Sequence, residues 1–305
     1  MRKSSSIHSL NADRGLSKLD RLMWMLYNFI NNRMPQHNVD KRILTRDFTV
    51  IDIEKNWSQI DALSSPARRL SDYFWLQLPW QIISAELGGG VRAIEIGCGS
   101  GRYGGLLRDY LGDNLLQYTG VDIKSNEEWS SYGQDPRFKF IIGNSAAFDD
   151  AIQDANFIMT QSALEHFDED LTFFHQIAEY VAVSKRPVIQ VHLMPSAACQ
   201  TTFLWHGVRH YTPRTLSKIT RIFGDETKKV LFGLGSKCCN RVHRKYITIP
   251  LLSGKGDMRK SKTNEYERKL RDAISKDQQN PNLNHSSFYA LMLQSNINED
   301  ISTKV

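Results

Sequence analysis

A chain of 305 residues, 41% hydrophobic and 24% charged, is long enough to bury one large α/β core, and its composition excludes fibrous, collagen-like and wholly disordered architectures. The net charge of +6 points to acidic partners or to a solvated surface, since much of the excess sits in the tails. Four cysteines (Cys98, Cys199 and the adjacent Cys238 and Cys239) make neither a disulfide framework nor a paired C-x-x-C zinc site, so reduced thiols in a cytoplasmic protein are expected.

In chain order, residues 1–20 are Ser-rich, polar and basic and read as a disordered tail, so that deleting 1–15 is expected to leave activity intact. Residues 21–90 read as a mostly helical lid. A first helix ends before Pro35. Its apolar stretch, 22–30, is too short to span a bilayer and reads as a packing helix ahead of an interfacial one. A mixed segment over 52–63 precedes a helix that opens at Ser65-Pro66 and carries Tyr73, Phe74 and Trp75. Residues 65–80 are expected to close over a ligand.

From residue 91 the pattern alternates. Strands are read over 91–96, 116–121, 138–142, 155–160 and 187–193, with helices over 101–111 and 168–183, a rhythm that predicts a doubly wound α/β sheet with helices on both faces. A helix over 212–223 and strands over 230–234 and 287–293 complete a mostly parallel, seven-stranded sheet. The core is taken as 91–253, and 286–305 as the last strand and tail. Between them, 254–285 reads as a charged insertion in which Tyr266, Leu270 and Ile274 form one apolar helical stripe. No export signal or spanning segment is read.

The informative stretch is Glu95-Ile96-Gly97-Cys98-Gly99-Ser100-Gly101-Arg102. It leaves the first parallel strand and opens a helix, where glycines allow a tight turn and close ligand approach. Arg102 stands where a dinucleotide fingerprint needs glycine or alanine. Asp122 ends the next strand, where a carboxylate can accept two ribose hydroxyls. Gly143-Asn144-Ser145 follows the third strand, and Gln161 to His166 (QSALEH) the fourth.

In this order these elements resemble class I (Rossmann-like) S-adenosylmethionine-dependent methyltransferases, over 91–193 and only loosely elsewhere. The resemblance implies S-adenosylmethionine as cofactor, held by Glu95, Gly97, Cys98, Gly99, Gly101, Asp122, Asn144, Ser145 and Gln161. Glu95 would face the cationic end, Asp122 the ribose, Asn144 the adenine (many relatives carry Asp there) and Gln161 the methionyl part. Ser65-Pro66-Ala67-Arg68-Arg69 and Trp205-His206-Gly207 look similar to methyltransferases of bacterial surface-polysaccharide clusters, which implies a small-molecule or glycan acceptor methylated on a hydroxyl. Taken singly, each glycine closes a turn, Asp122 is a solvated strand end and His166 a structural residue.

A hydroxyl acceptor needs a base. One of His192, His206 and His210 is expected to serve, with Glu165 or His166 next should all three fail, although each histidine also reads as a structural one. Arg209, Arg68 and Arg69 suit either an anionic group on the acceptor or surface ion pairs. No Asp/Asn ligand set follows the fourth strand, so no metal is expected. The alternatives are an RNA or protein methyltransferase and a non-catalytic cofactor-binding scaffold. The absence of an RNA-binding module argues against RNA, and the intact glycine loop against the scaffold.

Overall fold

The computed structural model describes residues 2–34, 38–144, 148–152 and 154–305, with 149 and 150 by backbone alone. Eight strands form one sheet: β1 (Ile43–Asp47), β2 (Val91–Ile96), β3 (Leu115–Asp122), β4 (Phe138–Ile142), β5 (Phe157–Gln161), β6 (Val188–Pro195), β7 (Thr227–Leu234) and β8 (Phe288–Ser295). Their spatial order is β1-β7-β8-β6-β5-β2-β3-β4. Only β8 runs antiparallel to its neighbours, β6 and β7; the other pairings are parallel. From β2 the chain winds outward through β3 and β4, then returns to the other side of β2 for β5 and β6. The strand order therefore reverses between β2 and β5, which is where an open α/β sheet forms its ligand crevice.

Strands in the middle of such a sheet are buried on both faces and read as continuous apolar runs. Every residue of β5, β6 and β8 is buried. One face packs Ala93, Phe157, Val191 and Phe232 under the helix Pro66–Gln77; the other packs Ile94, Val121, Ile158 and Leu293 under the helix Asp170–Ser184.

The sheet has eight strands, not the expected seven. The added strand, β1, is an edge strand whose Leu44 is half exposed and which carries Arg46 and Asp47, so no apolar run marks it. The mostly helical stretch 21–90 thus also carries one strand. Tyr73, Phe74 and Trp75 are buried in the core, where Phe74 meets Phe232 edge-on at 5.3 Å and Trp75 meets Phe157 at 6.4 Å. Burying aromatic side chains of this size contributes about 1.5–3 kcal/mol each. This helix is therefore part of the sheet's packing layer and does not line the crevice.

The amino-terminal segment, expected to be disordered, is docked. Ser5 is fully buried and donates its N–H (2.8 Å) and hydroxyl (2.5 Å) to Asp170. Ala12 N–H donates to Gly207 O at 3.0 Å. The helix Lys18–Arg33, capped by Ser17, anchors through Trp24, whose indole N–H donates to the same carbonyl at 3.0 Å. Polar residues thus fasten the segment by hydrogen bonds and leave no apolar pattern to read. Among the described residues, no helix is long and apolar enough to cross a membrane.

Candidate functional site

The crevice opens into a cleft of about 700 Å³, a size that holds small-molecule ligands. Ile96 and Gly97 leave β2 at its base, with Asp122, Ile123, Lys124, Gly143 and Asn144 on the β3–β4 side. Ser162, Ala163, His166, Phe167, Asp168 and Glu169 come from beyond β5, and Asn11, Asp13 and Arg14 from the amino-terminal segment.

Gly97 has φ 78°, and a Cβ there would lie 2.5 Å from that of Ala163, so neither the left-handed backbone nor the space admits a side chain. Gly97 and Cys98 donate their N–H groups to Val121 O, and Gly99 donates to Asp122 Oδ2 at 2.8 Å. The end of β3 thereby pins the glycine loop. Asp122 Oδ1 accepts from Lys124 N–H at 3.3 Å, and each oxygen retains capacity for a further donor. Beside it Ile123 is 67% exposed, an apolar surface suited to a flat ring. Its only sequence signal is its position directly after the strand-end carboxylate.

The cleft carries the carboxylates Asp13, Asp122, Asp168 and Glu169 against the cations Arg14 and Lys124, and Arg14 is paired with Asp168. The positive excess of the whole chain is locally reversed, which favours a cationic ligand. Other expected cofactor residues stand behind this wall. Glu95 is buried and accepts from the Tyr118 hydroxyl. Burial raises its carboxyl to about 8, against the opposing pull of Tyr118 and Arg68. Cys98 is buried beneath the loop, and Gln161 accepts from the Trp75 indole at 2.8 Å. Gly101, at φ 79°, caps the helix Arg102–Leu111. Ser145 lies outside the described residues.

A second cluster adjoins the cleft. Glu165 is fully buried, and both its carboxylate oxygens lack a hydrogen-bond partner. His206 Nε2 lies 3.6 Å and His166 Nε2 3.9 Å from Glu165 Oε1, with the two imidazoles edge to face at 4.6 Å. Asp13 Oδ2 holds His166 Nδ1 at 2.6 Å. Val208 N–H donates to Glu165 O at 2.7 Å, and Gly207, at φ 60°, passes so close that a Cβ would meet that carbonyl at 2.5 Å. The loop is thus pressed onto Glu165 and sets His206 beside its carboxylate. Ser162 and Trp205, with φ 52° and 53°, are non-glycine residues in left-handed backbone, a strain of order 1–3 kcal/mol each that is typical of functional loops. Burial disfavours the charged form of His206, but Glu165 and Asp13 outweigh it and raise its pKa above the ordinary value.

His192 and His210 are not in the cleft. His192 is fully buried in β6, its Nδ1 3.0 Å from Thr160 Oγ1 and its ring against Phe173 and Phe174. His210 is buried beneath Trp24. The expected anion-binding arginines are structural too. Arg209 is buried and donates to the carbonyls of Leu164, Phe167 and Asp168, and Arg69 to those of Trp57, Ile60 and Asp61. Arg68 bonds Tyr103.

No protein-family model and no curated protein matches the chain. Among solved structures it is similar to the plantazolicin methyltransferase BpumL in complex with a pentazolic desmethylPZN analogue and SAH, at 14% identity over 80% of this chain and 91% of that one, with a TM-score of 0.46. It is also similar to the plantazolicin methyltransferase BamL in complex with a triazolic analogue and SAH (13% identity, 80% and 88% covered, TM-score 0.42). A cyclopropane-fatty-acyl-phospholipid synthase-like protein from Lactobacillus casei is a third (18%, 79% and 99%, 0.41). Likenesses at this level assign neither an activity nor a ligand to this chain.

The two core imidazoles carry a stability prediction. Burial lowers both His192 and His210 to about 3. Below the unfolded value near 6.5, the unfolded chain takes up protons that the folded chain refuses, so stability is fully present above that value and falls as pH drops. Each imidazole is expected to cost about 2 kcal/mol at pH 5 relative to pH 7. Urea unfolding at both pH values should show the loss, and His192→Gln should reduce the difference by about 2 kcal/mol. An identical pH dependence in wild type and variant would refute the assignment.

Proposed function

We propose that the chain is an S-adenosylmethionine-dependent methyltransferase acting on a hydroxyl of a small-molecule or saccharide acceptor. The carrying observation is the juxtaposition of Gly97, Asp122, Ile123 and Asn144 at successive strand ends of one parallel sheet, facing a carboxylate-rich cleft. These residues fit the cofactor: Asp122 has oxygen capacity for two vicinal hydroxyls, Ile123 offers an apolar face for a purine, and the carboxylates suit a ligand with ammonium and sulfonium charges. When bound, S-adenosylmethionine supplies a methyl group already activated on sulfur, so the protein's part is alignment, exclusion of water and removal of the acceptor's proton.

Asn11, Asp168 and Glu169 present hydrogen-bond acceptors along the same cleft, which suits a hydroxyl-rich acceptor. Arg209 and Arg69 are committed to backbone carbonyls and are not available to an anionic acceptor group. Deprotonation of the acceptor is assigned to the place held by the Glu165–His206 pair, since His206 alone of the three expected histidines keeps solvent access, its side chain being 40% exposed.

Calorimetric titration with S-adenosylmethionine and its demethylated product tests the cofactor half. Asp122→Ala is expected to weaken binding by about 1–3 kcal/mol, through loss of charge-assisted bonds to the ligand and of the Gly99 tether. No binding by the wild type would end the proposal, and an unchanged affinity would remove Asp122 from the site. Counting transferred methyl label on free and activated sugars, amines and RNA tests the acceptor class.

A further inference from the structure

We propose that Glu165, His166 and His206 form a divalent-cation site at the acceptor end of the cleft. Its role in catalysis rests on the transfer reading above, whereas the binding itself does not. One potential ligand atom from each residue lies within 4.8 Å of the others. Around a zinc-sized ion with bonds of about 2.0–2.2 Å, ligand atoms sit roughly 3.4 Å apart. The two separations from Glu165 Oε1, 3.6 and 3.9 Å, need only a few tenths of an ångström of closure, and the two imidazole nitrogens lie within 4.8 Å of each other.

Three further features point the same way. A buried carboxylate with neither oxygen hydrogen-bonded is strongly disfavoured unless a cation completes it. The imidazoles beside it come from separate loops, and backbone contacts to Glu165 and Ala163 fix their places. Finally, Asp13 takes Nδ1 of His166, which holds the tautomer that leaves Nε2 free toward Glu165, the outer carboxylate arrangement common behind metal-bound histidines.

Two imidazoles and one carboxylate leave coordination positions open, and His166 lines the cleft. Such an imidazole-rich set selects zinc, cobalt or iron over magnesium or calcium, which prefer oxygen. An acceptor hydroxyl bound at the open position would be acidified by the cation. Its O–H bond would break with the proton passing to water in the open cleft, and the oxygen would keep the electron pair it needs for attack.

The test uses the metal-free full-length protein without cofactor, titrated with Zn2+ by calorimetry and with Co2+ by visible absorption. One equivalent should bind with micromolar or tighter affinity, and the cobalt spectrum should lack thiolate charge-transfer bands, which excludes the four free cysteines. Glu165→Gln and His206→Gln should each weaken binding by about 100-fold or more, and Asp13→Asn by about 10–100-fold. Mg2+ should give no heat, and His175→Gln should be unchanged. His206 is partly exposed, so its variant reports even if Glu165→Gln fails to fold. No saturable binding at millimolar metal, or equal affinity in the Glu165 and His206 variants, would overturn the proposal and leave a plain Glu–His ion pair. A protein that binds S-adenosylmethionine but no metal loses this proposal and keeps the transfer reading. Metal binding without cofactor binding does the reverse.

Discussion

A chain lacking residues 2–15 is expected to lose about 100-fold or more in turnover and about 3 kcal/mol or more in stability. The stability loss follows from Asp170, a fully buried carboxylate that would forfeit both bonds from Ser5. Hydrogen bonds to charged groups are worth about 1.5–3 kcal/mol each. Arg209 would lose its bond to Ser4 as well. The turnover loss follows from the cleft, where Asn11, Asp13 and Arg14 form part of the lining and Asp13 holds His166; misplacing a site group by about 1 Å costs about 100-fold. Asp13→Asn separates the two effects. Asp13 is exposed, so the variant should keep its unfolding midpoint and still lose turnover. Full activity in the truncated chain would show that the segment merely decorates the cleft.

Replacing His206 by Ala or Glu165 by Gln is expected to lower turnover by about 10²–10⁴-fold, the usual scale of assistance to proton removal. Affinity for S-adenosylmethionine should stay unchanged, because Gly97, Asp122 and Asn144 line the cleft and neither Glu165 nor His206 does. Single-turnover kinetics alongside calorimetry makes the separation. The double variant should be little worse than either single one, since groups that act as a unit are strongly non-additive. A loss below about tenfold in both single variants would move the proton elsewhere or make the acceptor a nitrogen that needs no base.

The interior strands were readable because burial on both faces leaves continuous apolar runs, and the glycine loop because its spacing follows directly from a strand. Val91–Ile96 stands where its apolar run placed it, and the part-exposed edge strand Phe138–Ile142 was legible from its own Phe- and Ile-rich run. The edge strand Ile43–Asp47 was not readable, since its pairing on one side only demands no such run. The docked amino-terminal segment was hidden for a different reason: Ser4, Ser5, Asn11 and Asp13 have the composition of a disordered tail, and only their partners more than 150 positions away reveal the order. The histidines show the same limit. His192, His206 and His210 are equivalent in the sequence, and the fold sends two into the core and leaves one part-exposed beside Glu165. Glu165 stands in the sequence only as a reserve base alongside His166, because its burial without a partner is a property of three dimensions.

The place of β8 has a consequence for biosynthesis. It lies between β6 and β7 and pairs with both along its length, yet it follows them in the chain by many residues. Until the ribosome has released residues 288–295, the two strands that β8 will join present open, apolar edges, which are templates for pairing with other nascent chains. A ribosome stalled in the preceding charged segment would therefore leave a half-sheet prone to association, and chaperone demand should fall once β8 has emerged.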